Sequence, residues 1–141
     1  MVLLKASEVR AASFAQHANV LAAANRLAER VRSELTAESV LLFGSRARND
    51  WLADSDCDMI VVSDAFAGLP FGDRWNAIND RWDGPVDLEP IGVTSAEFAV
   101  ARDGGGIVAM ALADGARELL PVDGGGAHAS TVVSPSGTTL T

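Results

Sequence analysis

LLFGSRARNDWLADSDCDMIVV, residues 41–62, is the stretch on which the fold is read. Residues 40–43 and 59–62 are short, almost wholly apolar runs, as expected of strands in a sheet covered on at least one face. Gly44 and Ser45 close the first run, and Asp56 and Asp58 open the second. Side chains alternate across a strand, so Asp56 and Asp58 share one face while Cys57 points to the other. Two bare carboxylates that close repel unless a cation lies between them. A hard divalent ion such as Mg²⁺, which takes oxygen ligands and leaves room for phosphate oxygens, meets that need. A strand that ends in Gly-Ser and turns into a short helical segment leaves backbone N–H groups unpaired, which favours a phosphate. Glycine lets the backbone approach closely, the Ser45 hydroxyl can bond a phosphate oxygen, and Arg46 and Arg48 add charge-assisted contacts.

The stretch resembles the signature of the polymerase-β-like nucleotidyltransferases: Gly-Ser, about ten residues, then Asp-x-Asp at a strand start. Within that superfamily it is most similar to the small stand-alone minimal nucleotidyltransferases of prokaryotes, and the likeness runs over residues 40–120. The resemblance implies an α/β fold of the α+β kind, a small mixed sheet flanked by helices. It also implies a third carboxylate on a later strand. In residues 84–91, GPVDLEPI, Asp87 falls at that place, and Glu89 lies two residues on, on the same strand face, as its partner or an alternative ligand. Where relatives follow the arginine with glycine, this chain has Asn49, which tolerates left-handed backbone better than most residues. On this resemblance Asp56, Asp58 and Asp87 hold metal and carry the catalysis, and Gly44, Ser45, Arg46 and Arg48 hold the nucleotide. The implied cofactors are two Mg²⁺ ions with an NTP, of which ATP is the leading choice.

Composition sets the frame around that site. A chain of 141 residues, 48% of them hydrophobic, suits one domain with a sizeable core. Residues 1–122 are expected to form the nucleotidyltransferase domain. Residues 123–141 shift to Gly, Ser, Thr and Ala and read as a flexible tail outside the core, with His128 inert and Val132-Val133 at most a brief strand or partner contact. A single cysteine excludes an internal disulfide and fits a reducing compartment. The apolar run at the N-terminus is too short for a signal peptide and no stretch has the length of a membrane span, so the cytoplasm is the expected location. Eleven basic against nineteen acidic residues, a formal charge of −8, argue against non-specific nucleic-acid binding. Arg26, Arg30, Arg32, Arg46 and Arg48 are close in sequence and leave local contact with RNA open, although a solvated helix face is the favoured reading for them.

Taken in order, residues 7–35 read as one long helix, or two with a break. Val20, Leu21, Ala24, Leu27, Val31 and Leu35 follow helical spacing among helix-favouring alanines. His17 is expected to be exposed, since no second metal ligand stands three or four residues on. Trp51 belongs to the loop before the second strand, packed beneath it or set near a bound base, with packing favoured. Residues 71–82 are expected to be a helix whose pairs Phe71/Trp75 and Ile78/Trp82 each share a side, a pattern typical of core. Asp83-Gly84-Pro85 stops that helix and launches the third strand. Thr94 and Glu97 form a capping box that starts another helix, and Gly104-Gly105-Gly106 reads as a turn between helices. Residues 107–113 form the next helix, ended by Gly115, and residues 118–122 an edge strand.

The leading functional expectation is transfer of a nucleoside monophosphate from an NTP to a hydroxyl, with release of pyrophosphate. The resemblance implies candidates for the acceptor. Stand-alone relatives include antitoxins that attach AMP to a tyrosine of a HEPN-domain toxin, and others that act on RNA ends. Such a HEPN partner would be a separate protein, and a tRNA-directed enzyme is the competing reading, disfavoured by the acidity. A different class is a module that neutralises a partner by contact alone with a relict site. Closely held aspartates that cost stability without a metal favour the enzyme.

Overall fold

The computed structural model describes residues 5–121, 130–133 and 139–140. Helix α1 spans Ala6–Leu35 without a break. Its alanine-rich sequence favours the helix, and Val20, Ala23, Ala24, Leu27, Ala28 and Val31 make its buried stripe. It ends at Thr36, which takes a left-handed conformation, φ 49°, and turns the chain into strand β1, Ser39–Phe43. The five-residue helix α2, Gly44–Arg48, follows at once. A loop then leads to strand β2, Cys57–Val62, and on through a 3-10 turn at Asp64–Phe66 to helix α3, Phe71–Asn79. Strand β3, Leu88–Val93, runs into helix α4, Ser95–Asp103, and then helix α5, Ile107–Ala113. The short strands β4, Arg117–Leu119, β5, Ser130–Val133, and β6, Thr139–Leu140, complete the described elements.

Among the described residues the sheet has the order β3-β2-β1-β4-β5-β6. β2 and β3 are parallel and the other neighbours antiparallel, so the sheet is mixed and the fold α/β, as expected. β3 occupies an edge, and that position accommodates Pro90, which has no N–H to give a second neighbour. Period-two alternation sends the two sets of strand side chains into different cores. Val40, Leu42, Cys57, Met59, Val61 and Leu88 pack under α1 and α3 with Leu27, Val31 and Ile78. Leu41, Ile60, Val62 and Val93 pack on the other face with Val108, Ala111 and Leu112 of α5. Full burial of a side chain such as Leu27 or Ile60 is worth about 1.5–3 kcal/mol. Two side chains also sew α1 to the sheet: the Arg32 guanidinium donates to the Leu119 carbonyl, and the Ser63 hydroxyl donates to the Leu35 carbonyl.

Four expectations are corrected. Phe71 and Trp75 do not enter the core; they are 63% and 43% exposed, because α3 turns Ile78 and Arg74 inward and stops at Asn79, short of Trp82. The third strand begins only at Leu88, since the Trp82 indole N–H donates to the Val86 carbonyl at 2.7 Å and holds the approach to the strand as a turn. β4 lies between β1 and β5 and so is interior to the sheet. His17 is buried, 9% exposed, on the same stripe of α1 as Val20. Of the expected tail, residues 130–133 and 139–140 are sheet strands, and the remainder of 122–141, His128 included, lies outside the described residues. Arg26 and Arg30 reach Asp83 at 3.0 and 2.8 Å, exposed pairs worth about 0–1 kcal/mol each.

Candidate active site

The β1–β2 pairing sets Phe43 opposite Asp58, and the β2–β3 register sets Glu89 opposite Asp58 on the other side. Three strand positions thereby converge at the same end of the sheet. Cys57 faces the α1 core, and burial pushes its thiol up to about 12, so it is inert as a ligand. Asp58 points to the other face, half-buried. Its carboxyl lies above the usual carboxylate range, first because of burial, then because Asp56 and Glu89 add negative charge; the Arg48 cation opposes them. Asp56 and Asp87 are exposed, each one residue before a strand. The Asp87 carbonyl accepts the Cys57 N–H at 2.9 Å, which pins the start of β3 beside the Asp-x-Asp turn. Glu89 is thus the later carboxylate whose charge Asp58 feels, while Asp87 is held alongside by its backbone.

Gly44 is the tightest constraint on the site. It has φ +72°, a conformation unfavourable to other residues, and a Cβ built there would land on Asp58 Oδ2, 3.1 Å from Cγ. The first turn of α2, whose N–H groups have no partners within the helix, starts at this contact. Asn49 ends α2 at φ 68°, its N–H bonded to the Ser45 carbonyl. The turn therefore survives the exchange of glycine for asparagine. A cleft of about 240 Å³ opens over the carboxylates, lined by Phe43, Asp58, Glu89, Pro90, Ile91 and Ile107. Ile91 and Ile107 continue into an apolar cleft of about 360 Å³ with Phe71, Val93 and Val100, where the charged residue is Glu97.

The two arginines part company. Arg48 stays exposed at the rim, 3.1 Å from Asp50 and 3.7 Å from Asp114. Arg46, expected to meet phosphate, is 1% exposed and turned inward. Its guanidinium donates to the Ser55 carbonyl at 2.9 and 3.2 Å and to the Ala53 carbonyl at 3.1 Å. It also lies 3.0 Å from His17 Nδ1 and over the Trp51 ring. Its donors are committed to the protein, which corrects the phosphate expectation. Burial, followed by the Arg46 and Arg117 charges, holds His17 below its ordinary pKa, so the neutral ring accepts from Arg46. Trp51 stacks on His17 with centroids 4.5 Å apart and meets Phe14 edge-on, the packing role expected of it. Sequence reading missed His17 as a core residue. The signal was present, because it falls in helical register with Val20, Ala24 and Leu27.

Among the described residues, no group of three or more His, Cys, Asp and Glu side chains forms a ready-made cation site. The carboxylates fit a divalent ion of another kind, one that takes one or two protein carboxylates and draws its remaining ligands from water and substrate phosphates, as Mg²⁺ does. The placement of Asp58 opposite Glu89 and two residues from Asp56, a crowding that raises its carboxyl, favours a cation there. Also among the described residues, no helix is long and apolar enough to cross a membrane.

A family described as "Nucleotidyltransferase domain" matches residues 24–94, the end of α1 through β3. The chain is similar to a Sulfolobus solfataricus protein of known crystal structure, classed as a nucleotidyltransferase, at 30% identity and a TM-score of 0.51. The match covers 60% of this chain and 76% of that one. No curated protein matches significantly.

Proposed function

The chain belongs to the nucleotidyltransferase domain family of the polymerase-β-like superfamily, and from that premise we propose that it transfers a nucleoside monophosphate, AMP from ATP in the first instance, to a protein hydroxyl. The observation that carries the reading is the contact of the Gly44 backbone with the Asp58 carboxylate, which puts a phosphate-favouring turn against a crowded acidic pair.

In this reading Gly44 and Ser45 hold the terminal phosphates through backbone N–H groups and the serine hydroxyl, and Arg48 at the rim adds its charge. Asp56 and Asp58 hold the cation, with Asp87 as the third carboxylate and Glu89 its neighbour. Bound divalent ions supply neutralisation of the triphosphate and stabilise charge on the attacking and leaving oxygens. Asp87 takes the acceptor proton as the acceptor oxygen bonds to the α-phosphorus. The bond from the α-phosphorus to the bridging oxygen breaks with its electron pair, and pyrophosphate leaves.

A protein acceptor is favoured over RNA by the formal charge of −8 and by the apolar, cation-free lining of the cleft beside the site. A tyrosine on a HEPN-domain partner, as in an antitoxin pair, is one such acceptor. The test is transfer of label from α-labelled ATP, CTP, GTP and UTP with Mg²⁺ onto a lysate containing protein and RNA, with Asp58→Asn as control. Labelled protein supports the proposal and identifies the acceptor; labelled RNA replaces the acceptor class. No label from any nucleotide leaves the contact-only module as the reading.

A further inference from the structure

We infer that Arg46 is a positioning residue whose clamp between α1 and the 53–55 turn sets the separation and aim of Asp56 and Asp58. The inference rests on the metal role proposed for those two carboxylates. Asp56 lies outside the sheet, so strand pairing alone does not place it. What precedes it is a closed turn: the Ser55 N–H donates to the Leu52 carbonyl at 3.0 Å, and the Leu52 N–H donates to Ser55 Oγ at 2.8 Å. The turn is fastened from below. Arg46 holds the Ala53 and Ser55 carbonyls together, and the Gln16 amide of α1 donates to Ala53 as well, at 3.1 Å.

A guanidinium suits the task because its planar fork presents several donors at once, whereas a lysine in its place offers a point charge with fewer fixed directions. Arg46 is in turn aimed by His17, which accepts from it on one side, and by the Trp51 ring, which it overlies. Helix α1 is thus wired to the turn before the carboxylates through the buried Arg46 cation as well as through Gln16. Groups around a metal site that orient its ligands without touching the ion typically change affinity by about 10–100-fold when removed.

The test titrates Mn²⁺ alone, followed by the signal of the free ion, into wild type, Arg46→Met, Arg46→Lys, His17→Leu, His17→Gln and Asp58→Asn, each checked for folding by circular dichroism. Backbone amide exchange of residues 55–58 is measured in parallel. The expected result is binding in wild type that Asp58→Asn abolishes, weakened about 10-fold or more by Arg46→Met and only partly restored by Arg46→Lys. His17→Leu should weaken binding less, and His17→Gln, which keeps an acceptor, should recover it. Amide exchange at 55–58 should quicken in Arg46→Met. If Arg46→Met does not fold, the contrast between His17→Leu and His17→Gln carries the test. Wild-type Mn²⁺ affinity and amide exchange in Arg46→Met, or equal affinities in the two His17 variants, would overturn the clamp alone. Absence of Mn²⁺ binding that depends on Asp58 would overturn the metal reading and the clamp with it.

Discussion

At the scale of single residues, Asp58 combines chemical need with structural cost. Burial and the charges of Asp56 and Glu89 raise its carboxyl, so the ionised form is held against repulsion when no cation is present. Asp58→Asn removes the central charge of that group and keeps the shape. It should abolish transfer while leaving the melting temperature of the metal-free protein unchanged or higher, measured by scanning calorimetry in chelator. Gly44→Ala acts differently, since the new methyl meets Asp58 Oδ2 and the backbone sits at φ +72°. The conformational part alone costs about 1–2 kcal/mol. We expect a lower urea midpoint together with loss of transfer, whereas a fully active Gly44→Ala protein would refute the contact. The nearness of Gly44 to Asp58 at one end of the sheet was legible because strand alternation and turn chemistry act over two or three residues. The fate of Arg46 was not, because its acceptors are backbone carbonyls at 53 and 55 and a ring at 17, and no residue type in the sequence advertises a carbonyl.

At the scale of elements, the start of α4 was legible to the residue. Thr94 accepts the Glu97 N–H at 3.2 Å, and Glu97 accepts the Thr94 N–H at 2.7 Å. The same carboxylate receives Arg74 at 2.6 Å, and Arg74 together with the cap holds Glu97 down to about 2. A folded-state value below the 4.5 of an open chain means that this stabilisation is complete above about 4.5 and is lost as pH falls toward 2. The urea midpoint of Glu97→Gln should therefore lie below that of wild type at pH 7, with the gap closing between pH 4.5 and 2; a constant gap would show that the charge is immaterial. The facing of α3 was not legible. Spacing by four puts Phe71 with Trp75 and Ile78 with Trp82 equally well, and the choice between the pairs came from β3. Gly92 leaves just enough room there for Arg74 and Ile78, a Cβ at 92 falling 3.0 and 3.3 Å from their side chains.

At the scale of the whole molecule, the sheet divides the interior into one core under α1 and α3 and another under α4 and α5, and the carboxylates emerge at the rim of the second. A ligand that bridges Gly44, Asp58 and Glu89 ties α2, β2 and β3 together and should stabilise the whole fold. At one hundred times its dissociation constant, an NTP with Mg²⁺ should add about 2.7 kcal/mol, read as a rise in melting temperature that Asp58→Asn does not show. A mixed α/β fold was legible from the motif and its strands. The antiparallel path through β4 to β6 was not, since those strands are short and their pairing depends on distant partners. The order of pairing also has a consequence in time. Gly44, Ser45, Asp56 and Asp58 all lie within one continuous β1–α2–β2 unit, and its partners are near in sequence, whereas parallel β3 arrives only after a crossover through α3. Near neighbours close their loops first. The Gly44–Ser45 turn and the segment of Asp56 and Asp58 should therefore gain protection early in pulsed hydrogen exchange during refolding, before Asp87 and Glu89 do. On that order the site would stand as a half-finished cradle until its last strand arrives.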